Sequence, residues 1–318
     1  MPQEASGAAA AHSAIGARSY NPTMAAGDVY PELRSSLLRR GGTVMLIGGP
    51  DTGKTTFSRR LLTDAVAQGI TAAYVDADVG QTTTGPPACV GLRIIRNRKD
   101  LDDLHEADEL RFVGSTTPDG VVLQQVVATA ALVERARQEA DFVVIDTTGS
   151  VSGVIGQTLK YHKVELVAPD TVVALQRGRE MEPIIGMLRR FFGVAIETVQ
   201  ALRQAESVAA AQRRSNRADA FTREFAPPMQ KWRVLPTVFA PTLPAGLDLS
   251  RLDRILVGLL DDRGRCLGLG ILDYSDGNLR VATNKGDDMK GLRLASLRID
   301  PETFTTERVR LRQLMFGV

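Results

Sequence analysis

The segment LIGGPDTGKTT, Leu46 to Thr56, constrains the fold more than any other stretch of this chain. Gly48, Gly53, Lys54 and Thr55 fit the phosphate-gripping pattern G-x-x-x-x-G-K-[ST]. That pattern works only where a buried strand ends and a helix begins. Its glycines let backbone N–H groups turn inward around phosphates, and the helix N-terminus adds positive potential. Both flanks are present. TVMLI (Thr43–Ile47) is an apolar, β-branched run, and from Lys54 to Gln68 the residues Phe57, Leu61, Leu62 and Ala65 share one helical face before Gly69. Gly48, Gly49, Pro50, Asp51, Thr52, Gly53, Lys54, Thr55 and Thr56 are therefore the expected nucleotide cradle. Lys54 would reach the β and γ oxygens, and the Thr55 hydroxyl belongs on Mg²⁺.

Strand and helix signals alternate from Gly42 to about Val199. TAAYVD (Thr71–Asp76), LRFVG (Leu110–Gly114), DFVVID (Asp141–Asp146) and TVVAL (Thr171–Leu175) read as strands. A long helix is expected from Val121 to Gln138, and the stretch before Leu110 reads as irregular. This spacing predicts an α/β fold of the P-loop NTPase type, a parallel sheet with helices on both faces. Ligands of such sheets sit at the carboxyl ends of the strands. After about Trp232 the texture changes: RILVGLLDDRGRCLGLGILDYSDGNLRVAT reads as three strands with turns at DDRG and SDGN, and RLASLRID and RVRLRQLMF add more. The expected division is a mostly disordered tail and lead-in helix over 1–40, a P-loop domain over 41–228, and a small antiparallel β-rich domain over 229–318.

Composition limits the partners. Thirty-nine Lys and Arg against thirty-seven Asp and Glu leave a net charge of +2, so the whole molecule is no polycation. Basic residues do cluster at Arg189–Arg190 and over Arg213, Arg214, Arg217 and Arg223, either as a solvated helix face or as an anion-binding surface. No apolar run approaches the roughly 20 residues of a membrane span. Two widely spaced cysteines, Cys89 and Cys266, suggest no disulfide framework, and the first forty residues lack the features of a secretory signal. A cytoplasmic setting with no membrane association is expected.

The phosphate grip does not say where the phosphate goes. Asp146, at the end of an apolar strand, is the expected acid of the Mg²⁺ shell. DTTG (Asp146–Gly149) and NKGD (Asn284–Asp287) have the forms of a GTPase γ-phosphate sensor and guanine reader. The second lies in the β-rich region, where a tight turn explains it better. YVDADVGQTTTGPP is more discriminating, because it brings Asp76 and Asp78 to the sheet's carboxyl edge. A kinase must orient or deprotonate an incoming hydroxyl, and Asp78 is the candidate base. ALQRGRE offers Arg177 and Arg179 as a lid over the transferring group.

GGPDTGKTT, YVDADVGQ, FVGSTTP, VVIDTTGSVSG and PDTVVALQRGRE occur in the order and spacing of the polynucleotide 5′-hydroxyl kinase family, which the chain resembles. That family includes the kinase subunit of the eukaryotic pre-mRNA cleavage machinery, an rRNA-processing kinase, and archaeal and bacterial relatives. The resemblance implies transfer of the γ-phosphate of ATP, and often GTP, to the 5′-hydroxyl of single-stranded or end-exposed RNA or DNA. Lys54 and Thr55 match the family's phosphate lysine and Mg²⁺ hydroxyl, and Asp78 its base and metal-associated acid. Gln81 closes the same motif. Thr116, Thr117, Thr147, Thr148 and Gly149 fall at substrate positions, and Arg179, with Arg177 beside it, best matches the lid arginine. Ser150 stands where eukaryotic members carry a Trp on which a nucleobase can stack, an interaction worth about 1–3 kcal/mol per base. Tyr161 and His162 are candidates to face a terminal nucleotide instead. The short tail ahead of Gly42 is expected to stand in place of the eukaryotic N-terminal β domain. Two alternatives stay open at this level: a GTPase or ATPase switch with water as acceptor, and a scaffold that keeps nucleotide as a structural ligand.

Overall fold

The computed structural model describes residues 19–20, 30–201 and 208–316. The expected disordered tail falls mainly on residues outside that set. Helix α1 (Pro31–Arg40) leads into β2 (Gly42–Gly48), with Pro31 at its first turn, where the missing N–H costs nothing. A two-residue strand, β1 (Ser19–Tyr20), lies before them. There follow α2 (Lys54–Ala67), β3 (Ala72–Ala77), β4 (Cys89–Ile95), the short α3 (Arg98–Asp102) and β5 (Glu109–Phe112). Next come α4 (Val122–Arg137), β6 (Phe142–Thr147), α5 (Gly153–Val167), β7 (Thr171–Gln176), α6 (Glu182–Phe191) and β8 (Ala195–Gln200).

Strands β8, β7, β2, β6 and β3 run parallel in that spatial order. Along β2 the side chains alternate between two cores. Met45 and Ile47 pack with Leu132, Val164 and Ile185 of α4, α5 and α6, while Val44 and Leu46 pack with Leu33, Leu37, Phe57 and Leu61 of α1 and α2. Burial on both faces explains why these strands read as unbroken apolar runs. Parallel strands covered by helices on both faces and antiparallel strands after them are as expected, and the sheet is already mixed beyond β3. CVGLRII, passed over within an irregular stretch, forms β4, antiparallel to both β3 and β5. The capping box of Asn97 and Asp100 starts α3 directly after it.

The chain continues through α7 (Ala210–Glu224), β9 (Gln230–Arg233), β10 (Ile255–Leu260), β11 (Cys266–Ser275), β12 (Asn278–Thr283), β13 (Gly291–Ile299), β14 (Thr306–Arg308) and α8 (Leu311–Phe316). From β9 onward the named strands pair antiparallel with one another. Asp276 and Gly277, both at positive φ, turn β11 back into β12. The expected strand at RVRLRQLMF is instead mostly helix: Leu311, Leu314 and Met315 recur at helical spacing, and Leu314 is buried. Cys266 of β11 pairs with Leu110 of β5, so one sheet runs from the parallel strands into the antiparallel ones. Cys89 and Cys266 are both free and buried in the core at this junction.

Candidate active site

Three strand ends define the site. Register places Leu46 beside Asp146 on β2 and β6, and Asp146 beside Asp76 on β6 and β3. The phosphate loop, the candidate metal acid and the D-x-D segment therefore leave the sheet side by side, about 5 Å apart per strand. On the other flank Gly48 pairs with Leu175 of β7, which brings Arg177 to the loop.

The loop itself is tightly packed. A Cβ at Gly48 would lie 2.4 Å from the Leu175 carbonyl oxygen, so only glycine fits there. Gly53, at φ 91°, opens α2. Thr52 Oγ1 donates to Gly49 O at 3.0 Å. Lys54 is buried, and its ammonium donates to Gly48 O at 3.0 Å and Gly49 O at 2.7 Å. Burial pushes the Lys54 amine below its ordinary pKa, against the opposing pull of Asp146, Asp78 and Asp51. Pro50 and Thr56 are exposed.

Thr55 Oγ1 donates to Asp146 Oδ2 at 2.7 Å, and the Tyr74 hydroxyl donates to the same oxygen at 3.0 Å. Asp146 Oδ1 is buried without a hydrogen-bond partner among the described residues. A buried carboxylate oxygen left bare beside a threonine hydroxyl is a donor set that Mg²⁺ fits, since that ion takes one or two protein oxygens and completes its shell with water and phosphate. Burial raises the pKa of Asp146, and a bound divalent cation would reverse that effect.

The two acids of the D-x-D segment separate in role. Asp76 is fully buried and accepts backbone N–H groups from Asp78 and Thr84, each at 3.0 Å, and from Thr83 at 2.5 Å. Burial, aided by Asp146, lifts its pKa to about 8. It shapes the loop. Asp78 is half-buried at the mouth, where its Oδ1 accepts the N–H groups of Gly80 at 3.0 Å and Gln81 at 3.2 Å. Gln81 Nε2 donates to Gly80 O and, at 3.1 Å, to Arg213 O on α7. Thr116 supports this loop through its backbone, since a Cβ on Gly80 would lie 2.6 Å from Thr116 O. The Thr117 side chain is exposed.

The segment after β6 closes against the phosphate loop. A Cβ on Gly149 would lie 2.7 Å from Pro50 N and 2.8 Å from its Cα. Thr147 is fully buried, its hydroxyl donating to Leu46 O at 2.7 Å. Thr148, Gly149 and Ser150 are half-buried at the rim. On the β7 side, Arg177 Nη2 donates to Asp51 O at 2.5 Å, while Glu180 accepts the N–H groups of Arg177 and Gly178. Arg179 is exposed.

The scan against family models matches residues 48–226 to the family described as mRNA cleavage and polyadenylation factor CLP1 P-loop. The chain belongs to that family. A polyribonucleotide 5′-hydroxyl-kinase of Pyrococcus horikoshii is 29% identical over 304 residues, covering 78% of this chain and 82% of that protein. Its namesake in Pyrococcus furiosus is 28% identical over 344 residues, covering 91% and 90%. The rat enzyme called polyribonucleotide 5′-hydroxyl-kinase Clp1 is 32% identical over 150 residues, 44% of this chain and 35% of that one. Among solved structures, wild-type Clp1p in complex with Pcf11p (454–563) superposes with a TM-score of 0.66 at 15% identity, covering 84% of this chain and 78% of that chain.

Within this CLP1 P-loop fold, two arginines of the basic cluster on α7 face the site, and four further residues escaped the sequence reading. Arg213 forms an ion pair with Asp51 of the phosphate loop, and Arg217 lies near enough for Asp78 to act on its charge. Helix α7 thus lies across the mouth from the phosphate loop to the D-x-D loop. Beside it a cavity of 290 Å³ is lined by Gly80, Gln81, Thr82 and Arg217. Tyr74 on β3, Gln125 on α4 and Lys160 and Lys163 on α5 are the four omissions. Their signal was a polar residue on an otherwise apolar face. NKGD is no guanine reader: the Asn284 amide donates to Glu224 O and Ala226 O, each at 2.9 Å, and Lys285 pairs with Glu224 at 3.0 Å. It fastens the end of α7 to β12. Tyr161 packs on His162, Phe191 and Phe192. No helix among the described residues is long and apolar enough to cross a membrane.

Proposed function

We propose that this chain is a polynucleotide 5′-hydroxyl kinase that transfers the γ-phosphate of ATP, with GTP as a second donor, to the 5′-hydroxyl of RNA or DNA. The names of its relatives favour RNA. The observation that carries the reading is Asp78, a half-exposed carboxylate held by two backbone N–H groups beside the phosphate-loop lysine. A switch that only positions water has less need of it.

In this reading the triphosphate displaces the Gly48 and Gly49 carbonyls from Lys54, and the loop N–H groups take its β and γ oxygens. Thr55 and Asp146 would hold Mg²⁺, which would supply neutralising charge for the phosphate oxygens. Asp78 accepts the proton of the 5′-hydroxyl as the hydroxyl oxygen bonds to the γ-phosphorus, the bond from that phosphorus to the β–γ bridging oxygen breaks, and the nucleoside diphosphate leaves. Thr116, Thr117, Thr148 and Gly149 line the acceptor side, with Gln81 fixing the loop above them. Arg177 and Arg179, joined by Arg213 and Arg217 of α7, supply positive charge where negative charge spreads during transfer. Incubation with γ-labelled ATP or GTP and 5′-hydroxyl oligonucleotides tests the assignment. Label on the oligonucleotide is expected, and label found only in free phosphate would replace the kinase by a hydrolytic switch.

A further inference from the structure

Two lysines of α5 are fully buried. Lys160 and Lys163 stand three residues apart, so they share one helix face. That face points at the sheet's carboxyl edge. Lys160 Nζ donates to Thr147 Oγ1 at 2.8 Å and to Thr148 O at 2.7 Å, while the Thr147 hydroxyl donates onward to Leu46 O. Lys163 Nζ approaches Ala77 O at 3.4 Å, an oxygen that also accepts from Gln125 Nε2 at 2.9 Å. Burying an amine is costly unless its donors are used. A methionine would fill the same volume without that cost, so packing alone does not explain two such side chains.

We propose that Lys160 and Lys163 are positioning residues that lock the acceptor half of the site, the Thr148–Gly149 segment and the Ala77–Asp78 strand end, in register with the phosphate loop. The inference rests on the kinase reading above. It follows from which peptide groups the two amines hold. Lys160 fixes the Thr148 carbonyl, and in a trans peptide the Gly149 N–H then points the opposite way. Gly149 is the residue whose Cα packs against Pro50, so this brace sets the gap between the rim and the phosphate loop. The Ala77–Asp78 peptide is held at both ends, its carbonyl by Lys163 and Gln125 and its N–H by Asp76. Asp78 therefore leaves the sheet from a fixed anchor. Neither lysine donates a hydrogen bond to residues 48–55, whereas both donate to the segments on the acceptor side.

The test separates acceptor from donor. Lys160→Met and Lys160→Gln are compared with the wild type, the second keeping one donor in case the first disturbs folding. Three readouts are taken: the Michaelis constant for a 5′-hydroxyl oligoribonucleotide, its binding by fluorescence anisotropy, and the affinity for a fluorescent ATP analogue. The acceptor Michaelis constant and dissociation constant should rise about tenfold, equivalent to about 1.4 kcal/mol, with nucleotide affinity unchanged and the Gln variant closer to wild type. Acceptor constants that stay at wild-type values would overturn the brace. So would loss of nucleotide affinity together with acceptor affinity in both variants, the mark of a merely structural role. Wild-type protein that labels no oligonucleotide would count against the kinase reading instead, and the anisotropy arm would still decide the brace.

Discussion

Lys54 and Asp78 carry the chemistry at the scale of single residues. Lys54 rests on two loop carbonyls that triphosphate oxygens would replace, and Asp78 is held with one face toward the mouth. Lys54→Ala should lower the transfer rate by about a hundredfold to a thousandfold, as loss of a preorganised positive donor does. Asp78→Asn keeps the shape and removes the base, so kcat should fall about 10²- to 10⁴-fold while nucleotide affinity holds. A rate within error of wild type in Asp78→Asn would remove it from the mechanism. Lys163 gives a pH prediction. Burial pulls its amine from 10.5 down to about 7, so between those values the unfolded chain binds a proton that the folded chain does not. Stability from this group is therefore fully present above 10.5 and is lost as pH falls through about 7. In Lys163→Met that slope should vanish, so the Tm of wild type relative to the variant should climb as pH rises above neutrality. A pH-independent difference would contradict the assignment.

At the scale of elements, α7 matters most because it touches both halves of the site. Its Arg213 pairs with Asp51, its backbone accepts from Gln81, and the positive charges of Arg214 and Arg213 act on Arg217. If Arg217 contacts a backbone phosphate of the acceptor, Arg217→Ala should weaken oligonucleotide binding for all sequences alike. The slope of log affinity against log salt should shrink by about one, with nucleotide affinity unaltered. An unchanged slope would place the acceptor elsewhere. The strand–loop–helix of the phosphate grip, the flanking buried strands and the D-x-D loop were legible in the sequence, because local pattern and tertiary context agree there. Helix α7 was legible only as a basic cluster, since which charges face a site depends on where the helix docks. Lys160 and Lys163 left only a faint signal on an apolar face, because a lysine pair at helical spacing usually marks a solvated one. Strand β4 was passed over because its apolar run follows a Gly- and Pro-containing loop.

At the scale of the molecule, one sheet passes from the parallel strands through β4 and β5 into the antiparallel strands. That passage is tightly packed. A Cβ on Gly258 of β10 would lie 2.4 Å from Cγ of Phe112 on β5. Gly258→Ala should therefore force the ring aside and destabilise the fold by about 1–3 kcal/mol, read as a lower Tm, while nucleotide affinity is retained. An unshifted Tm would mean that Phe112 has room to move. In the proposed reaction the phosphate gripped at Gly48–Thr55 leaves for a polynucleotide end. The most direct measurement follows γ-labelled ATP in a single turnover with two otherwise identical oligonucleotides, one ending in a 5′-hydroxyl and one in a 5′-phosphate. Label is expected on the hydroxyl end only, and Asp78→Asn should abolish it. Label appearing solely as free phosphate with both oligonucleotides would contradict the proposed reaction.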